Sequence, residues 1–351
     1  MTIKTTNISS NGIRVLLIYT GGTIGMVENP ETQGLEVCDF AYVAEHVQEI
    51  NQLPFGIDTI TFEPPCDSSD AGTELWVLIA EVVTRYYNDY DGFVVLHGTD
   101  TMAYTASGLS FMFENLTKPI ILTGSQVPIG KLRTDGKENL LTALEIAASN
   151  DASGKASVHE VCVLFDNSLL RGNRATKTSA NQFNAFQSPN YPNLAEIGID
   201  IDFCSSTMLP YPQKELKTHT KLDTNVLLLK LFPGLMPEVI EACFDAPGLR
   251  GIVLETFGSG NAPSNEKFMC LIKQAVHRGI VVVNITQCPQ GQVQMKRYET
   301  GRSLLSAGVL SGYDMTAEAA LAKLMYLLGR YDNSDDVKRL MRENLRGEIT
   351  I

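Results

Sequence analysis

Residues 15–25 read VLLIYTGGTIG, and this stretch decides how the rest of the chain is interpreted. The aliphatic run predicts a buried strand of a parallel sheet. The adjacent glycines Gly21 and Gly22 permit positive φ angles and a close approach of the backbone to a bound molecule. Thr23 would then lie just past the carboxyl end of the strand, where open α/β sheets bind ligands. The plain alternative is a tight turn that leaves a core strand. A phosphate loop is disfavoured because neither G-x-x-x-x-G-K-[ST] nor G-x-G-x-x-G is present.

The composition is typical of a soluble globular protein, and 351 residues suffice for two domains. A formal net charge of −12 argues against nucleic-acid partners and against binding to anionic membrane surfaces. No stretch approaches the roughly 20 apolar residues of a membrane span, and the polar N-terminus lacks the pattern of a signal peptide. We therefore expect no nucleic-acid or membrane partner.

The cysteines and histidines bear on compartment and cofactors. Seven cysteines are widely spread without a C-x-x-C pair, which favours free thiols in a reducing cytoplasm. Five histidines show no spacing typical of metal ligands. We therefore predict a cytoplasmic protein that needs neither a metal nor another cofactor.

Strand-like and helix-like segments alternate almost throughout, which predicts an α/β fold with a mostly parallel sheet. The alternation lapses in residues 204–222, which contain prolines and no periodic pattern. A second series of alternating strands and helices follows this lapse. We predict an N-terminal domain at 1–203, a linker at 204–222 and a C-terminal domain at 223–351.

Three polar loops each follow a predicted strand of the first domain, at residues 20–25, 67–70 and 97–101. The carboxyl ends of parallel strands share one edge of a sheet, so these loops can converge, and a fourth loop adds Lys177. Threonine needs a nearby base to act as a nucleophile, and a partly desolvated lysine beside an aspartate can serve. The set suits acyl transfer on a small polar substrate.

Each of these residues also has a plain structural interpretation. Thr99 or Asp100 could be a helix N-cap, Ser68 and Ser69 could form a simple turn, Lys177 could be a solvated surface lysine, and His97 could be a core histidine. The pattern alone therefore indicates an α/β hydrolase or a binding protein for a small polar ligand.

Two motifs, TGGTIG at residues 20–25 and HGTDTM at 97–102, resemble the signatures of the bacterial-type L-asparaginase family, in its cytoplasmic type I branch. The likeness covers nearly the whole chain. It continues through DSSD at 67–70, TGSQVPIGKLRTDG at 123–136, RGNRATK at 171–177, GSGNAP at 258–263 and NLRGEIT at 344–350.

The resemblance implies specific catalytic roles. Thr23 would attack the side-chain amide carbon of L-asparagine. Thr99, Asp100 and Lys177 would form a second triad, in which Thr99 supplies a hydroxyl and an oxyanion-binding N–H, and Lys177 is the proton acceptor.

The resemblance also implies how substrate is held and how the protein is built. Asp100 would bind the α-ammonium group, and Ser68, flanked by Asp67 and Ser69, would bind the α-carboxylate. The family has a larger N-terminal α/β domain and a smaller, Rossmann-like C-terminal parallel α/β domain. It forms homodimers or homotetramers.

The chain departs from the family pattern at two positions. Leu35 stands where the mobile loop after the first signature usually has a tyrosine that contacts the nucleophile, and we expect the loop at 26–35 to act as a lid. Glu255 stands where some cytoplasmic members have an arginine that holds a regulatory asparagine. Thr176 and Cys288, which match other residues of that regulatory pocket, are present.

L-asparagine amidohydrolase is the function that the sequence favours. One alternative is a non-catalytic amino-acid sensor on the same fold, supported by the missing loop tyrosine. The other is the amidase subunit of a Glu-tRNA(Gln) amidotransferase. That subunit needs an N-terminal extension, which we do not expect because the first signature begins at residue 20.

Overall fold

The computed structural model describes residues 3–7, 12–28, 35–38 and 40–351. The chain divides into two compact units, Met1–Thr220 and Lys221–Ile351, and each is described by itself. Among the described residues, no helix has the length and apolar character needed to cross a bilayer.

The first unit is built on a large sheet with flanking helices. Its described strands are β1 (Ile3–Asn7), β2 (Arg14–Gly21), β3 (Met26–Glu28), β4 (Leu35–Val37), β5 (Gly56–Cys66), β6 (Gly92–Leu96), β7 (Phe113–Glu114), β8 (Ile120–Thr123), β9 (Val161–Phe165), β10 (Ser168–Arg171), β11 (Thr176–Lys177), β12 (Phe186–Gln187), β13 (Ala195–Ile197), β14 (Ile201–Phe203) and β15 (Lys217–Thr218). Its described helices are α1 (Phe40–His46), α2 (Thr73–Tyr86), α3 (Met102–Met112) and α4 (Gly136–Ala148).

The large sheet has nine described strands in the order β1-β5-β2-β6-β8-β9-β10-β13-β14. The five central strands, from β5 to β9, are mutually parallel. The chain runs from β2 to β5 on one side and then returns past β2 to β6 on the other, so the strand order reverses between β2 and β6. In doubly wound sheets such a switch point opens a crevice at the carboxyl ends of the strands, where ligands bind.

Strand β2 lies at the centre of the sheet and is buried on both faces. Residues 15–19 have no exposed surface. Val15 and Leu17 pack in a core cluster with side chains of β6 and of helix α4. A strand buried on both sides carries an unbroken apolar sequence, which is why this segment reads as a continuous aliphatic run.

The second unit contains a smaller sheet. Its strands are β16 (Val226–Lys230), β17 (Gly251–Thr256), β18 (Val281–Thr286) and β19 (Leu310–Ser311), and its helices are α5 (Pro237–Phe244), α6 (Glu266–His277), α7 (Glu299–Ser306), α8 (Ala317–Arg330) and α9 (Ser334–Met341). The four strands pair in that order and are parallel throughout. Both sheets confirm the predicted fold class.

The structure adds elements that the sequence pattern did not predict. The sheet edges β1, β10, β13 and β14 are antiparallel. Strand β15 lies in the segment expected to be a linker and pairs with β7 of the first unit. Helix α7 was not predicted, because only Gly301 and Leu304 of its residues are buried and the apolar pattern is correspondingly weak. The short edge strands and β15 form only because they pair with segments distant in sequence, which a local pattern does not reveal.

Candidate active site

The loops after β2, β5 and β6 meet at Gly98, beside the switch point of the sheet. A Cβ atom placed on Gly98 would lie 2.6 Å from the Cβ of Ser68 and 3.3 Å from the Cα of Gly22. Gly22 has a φ of 89°, and a side chain there would overlap the backbone of Gly98. Only glycines allow this approach, which brings the loop that carries Thr23 into contact with the loop that carries Thr99.

Thr23 begins a single 3-10 turn, Thr23–Gly25, directly after β2. The turn is closed by a hydrogen bond of 3.1 Å from the N–H of Gly25 to the carbonyl of Gly22. Thr23 is partly exposed, whereas the two residues that follow it are buried. The nucleophile predicted from the sequence therefore lies in a fixed turn with access to solvent.

A two-stranded hairpin follows the turn. Strand β3 pairs with β4, with Glu28 opposite Leu35. The base of the hairpin is anchored by the N–H of Cys38, which donates to the carbonyl of Gly25 at 2.7 Å. The remaining part of the predicted lid, residues 29–34, and the side chain of Leu35 lie outside the described residues, so the lid stays a prediction.

Lys177 is joined to Thr99 and Asp100. Its Nζ donates to Thr99 Oγ1 at 2.7 Å and to Asp100 Oδ1 at 2.8 Å. The Lys177 side chain is 19% exposed and that of Asp100 is 64% exposed. Strand β11 carries Lys177 and pairs with β12 to hold it there. The interpretation of Lys177 as a solvated surface lysine is therefore wrong.

The N-cap alternative for Thr99 and Asp100 is also wrong. Helix α3 begins at Met102, and its N-cap residue is Thr101. Thr99 is 5% exposed, and its hydroxyl faces both Lys177 and Gln126. The two residues therefore belong to the loop that joins β6 to α3, with side chains bound to Lys177 rather than to the helix end.

The DSSD segment forms a 3-10 turn, Ser68–Asp70, capped by Asp67. Asp67 Oδ1 accepts from the N–H and the hydroxyl of Ser69 at 2.9 and 3.0 Å. Ser68 is 4% exposed, and its Oγ accepts from the N–H of Asp100 at 3.3 Å. Ser68 and Ser69 thus do form a turn, as the plain interpretation predicted, but Ser68 also links this turn to the loop that carries Thr99.

His97 is a buried core histidine, as one of the sequence interpretations predicted. Its Nδ1 lies 2.7 Å from the carbonyl oxygen of Gly98 and its Nε2 lies 3.0 Å from Thr105 Oγ1. Burial lowers the pKa of His97 to about 4. The neutral ring therefore donates from Nδ1 to Gly98 and accepts from Thr105, which fixes the backbone just before Thr99.

Gln126 was missed as a member of the site. Its Oε1 accepts from Thr99 Oγ1 at 3.3 Å, and its Nε2 donates to the carbonyl of Gln182 at 3.0 Å. The sequence contained a signal for it, because residues 124–126 (GSQ) directly follow β8 and lie at the same sheet edge as the other loops.

Glu255 lies in the second unit with a lysine beside it. Lys230 Nζ is 3.8 Å from Glu255 Oε2, and the Glu255 side chain is 15% exposed. The carboxylate of Glu255, at the position where some cytoplasmic members of the family have an arginine, therefore has a neighbouring cation.

The arrangement in the first unit provides two hydroxyls, a lysine and carboxylates at one sheet edge. Lys177 Nζ lies between the Thr99 hydroxyl and the Asp100 carboxylate, a geometry suited to proton transfer between the lysine nitrogen and that hydroxyl. In the described part of the chain, no group of three or more His, Cys, Asp or Glu side chains is placed to hold a metal ion.

Comparisons with known proteins cover both units. The family described as "Asparaginase, N-terminal" matches residues 14–208. The family described as "Glutaminase/Asparaginase C-terminal domain" matches residues 225–341. The chain is 43% identical to "L-asparaginase 1" of Escherichia coli K12 over an alignment of 344 positions, which covers 96% of this chain and 98% of that protein.

Two solved structures agree with this result. L-asparaginase I from Vibrio cholerae is 43% identical with a TM-score of 0.86, and the match covers 97% of this chain and 99% of that one. The thermostable L-asparaginase from Thermococcus kodakarensis is 35% identical with a TM-score of 0.88, covering 96% of this chain and 99% of that one. The chain therefore belongs to the asparaginase family, as its two signature motifs predicted.

Proposed function

We propose that this protein hydrolyses L-asparagine to L-aspartate and ammonia through an ester formed on Thr23. The observation that carries the proposal is the contact of Lys177 Nζ with Thr99 Oγ1 at 2.7 Å and with Asp100 Oδ1 at 2.8 Å, next to the turn of Thr23. The names of relatives that are 43% identical over nearly the whole chain support the same substrate.

In the first half-reaction, the Thr23 hydroxyl oxygen attacks the side-chain amide carbon of the substrate. With Lys177 as the neutral amine, the Thr23 proton passes to its Nζ through the Thr99 hydroxyl, and the backbone N–H of Thr99 stabilises the oxyanion. Collapse of the tetrahedral intermediate breaks the C–N bond as Lys177 passes the Thr23 proton on to the leaving nitrogen, which departs as ammonia. Water then attacks the ester carbon, which releases L-aspartate and restores the Thr23 hydroxyl.

The substrate's charged groups fit the remaining side chains. Asp100 keeps most of its carboxylate exposed and can receive the α-ammonium group. Ser68 Oγ accepts from the N–H of Asp100, so its own proton can be donated to the α-carboxylate. Asp67 and Ser69 hold the turn that presents Ser68.

The compartment and the assembly are part of the proposal. All seven cysteines are free thiols, which is typical of proteins kept in a reducing cytoplasm. We propose a cytoplasmic enzyme that forms a homodimer or homotetramer, with a domain division at residues 203 and 223.

The test is direct ammonia release from L-asparagine by the purified protein and by Thr23→Ala. We expect turnover by the native chain without tRNA or a second subunit, and less than a tenth of that rate in the variant. Loss of the hydroxyl removes little volume, so the free energy of unfolding should change by only about 1 kcal/mol. No ammonia release by the native chain would favour the amino-acid sensor, and a variant with more than a tenth of the native rate would exclude Thr23 as nucleophile.

A further inference from the structure

The second unit contains a cavity of about 570 Å³ whose lining residues lie between Val293 and Arg342 in the sequence. None of them belongs to the candidate active site. The wall includes the buried side chains of Met295 and Leu310, and Leu305, which is 38% exposed. A volume of this size is typical of sites for small molecules.

Three cations line the same cavity: Lys296, Arg297 and Arg342. All three are exposed, and no aspartate or glutamate is among the lining residues. Within the described part of the chain, none of the three has a carboxylate within ion-pair distance. By contrast, Arg339, one helical turn before Arg342, pairs with Asp336 at 3.6 Å and with Glu343 at 2.8 Å.

These cations stand out against the charge of the whole chain, which is −12. Carboxylates outnumber cations in the sequence, yet the described residues place none in the wall of this cavity. Several cations around a concave, partly apolar wall produce a concentrated positive potential, which raises the local concentration of anions. Arginine also presents a planar fork that binds carboxylate, sulfonate or phosphate oxygens in pairs.

One aromatic residue that lines the cavity, Tyr313, has an uncommon backbone conformation. Tyr313 has a φ of 54°, in the left-handed region that non-glycine residues rarely adopt. Its N–H donates to Ser311 Oγ at 3.1 Å, and its carbonyl accepts from the N–H of Val293 at 2.9 Å. Observed strain of this kind gathers at ligand sites, where the surroundings maintain it.

We propose that this cavity binds a small organic anion with an apolar or aromatic body. Lys296, Arg297 and Arg342 contact the anionic group, and Met295 and Leu305 contact the apolar part. The site is independent of the activity proposed for the first unit.

The test is a fluorescence titration of the native protein with 8-anilinonaphthalene-1-sulfonate, in parallel with N-phenyl-1-naphthylamine, which lacks the sulfonate. We expect one saturable sulfonate site per chain and binding of the neutral probe that is at least tenfold weaker. Arg342→Gln should raise the Kd of the sulfonate at least tenfold. Arg339→Gln, in the last turn of helix α9 just before Arg342 but ion-paired, should change it less than twofold.

A second variant tests the apolar wall of the cavity and does not depend on Arg342. Leu305→Glu places a carboxylate at a partly exposed position of the wall and should also raise the Kd at least tenfold, with unchanged circular dichroism. Equal affinity for the neutral probe, or an unchanged Kd in Arg342→Gln, would overturn the proposal. Absence of saturable binding to the native protein, as when a second copy covers the cavity, would overturn it as well.

Discussion

The Lys177–Thr99 contact gives a prediction that can be worked out from the geometry. Lys177 Nζ is 2.7 Å from Thr99 Oγ1, and a hydrogen bond to a charged group contributes about 1.5–3 kcal/mol. Proton transfer by a positioned group contributes roughly 100-fold to 10,000-fold in rate. We therefore expect Thr99→Val and Lys177→Met each to lower kcat at least about 100-fold, which corresponds to about 2.7 kcal/mol of activation free energy.

The double variant distinguishes a shared function from two separate ones. If the two residues act as one unit, the double variant loses no more than the worse single variant, since removing either disables both. If they acted independently, the costs would multiply to about 10,000-fold. The assay is steady-state ammonia release with L-asparagine, with kcat and KM measured separately for the native protein, both single variants and the double variant.

A stability estimate and one control variant distinguish loss of catalysis from loss of folding. The Asp100 side chain is 64% exposed, so its ion pair with Lys177 should contribute less than about 1 kcal/mol to folding. Lys137→Met removes another lysine of the first unit that pairs with a carboxylate, Glu49, and should change kcat less than twofold. Multiplying costs, or a Lys177→Met variant with near-native kcat, would refute the reasoning.

Three further predictions concern the core, a glycine and regulation. Burial lowers the pKa of His97 to about 4, below the value near 6.5 of the unfolded chain. The unfolded chain therefore binds a proton more readily than the folded one below pH 6.5, and the free energy of unfolding should fall by about 2 to 3 kcal/mol between pH 7 and 4.5. Chemical denaturation at these two pH values should show a much smaller fall in His97→Gln. Gly98→Ala places a Cβ 2.6 Å from that of Ser68 and should lower kcat/KM at least about tenfold through overpacking of roughly 1–3 kcal/mol. Because Glu255 repels the α-carboxylate of a second asparagine and already has Lys230 nearby, initial rates should depend hyperbolically on L-asparagine.

Each of these has an outcome that contradicts it. The pH dependence of unfolding would be the same in His97→Gln and the native protein if His97 were already protonated in the fold. Gly198→Ala, where the new Cβ meets only one atom at 3.7 Å, is the control for Gly98→Ala, and equal effects would remove the crowding argument. A sigmoidal rate curve that becomes hyperbolic in Glu255→Gln would mean that the pocket at Glu255 regulates after all.

The sequence by itself determined the elements whose signal is local. The aliphatic run before Gly21 predicts a strand buried on both faces, because such a strand has no polar side to alternate with. The strands Gly92–Leu96 and Val161–Phe165 carry the same kind of local signal and are buried along their whole length. The signature motifs named the residues of the candidate site and the family, because their residue types and order are specific.

The tertiary structure alone decided how those residues meet. Lys177 lies 78 positions from Thr99, and no local pattern reveals that β11 brings the two together. The strand order, with β2 and β6 adjacent, likewise depends on pairing across the sheet. Gln126 entered the site through a contact with Thr99, 27 positions away. Periodicity in the sequence shows which side of a helix or strand is apolar. It does not show which distant segment packs against that side, and the geometry of the candidate site depends on that packing.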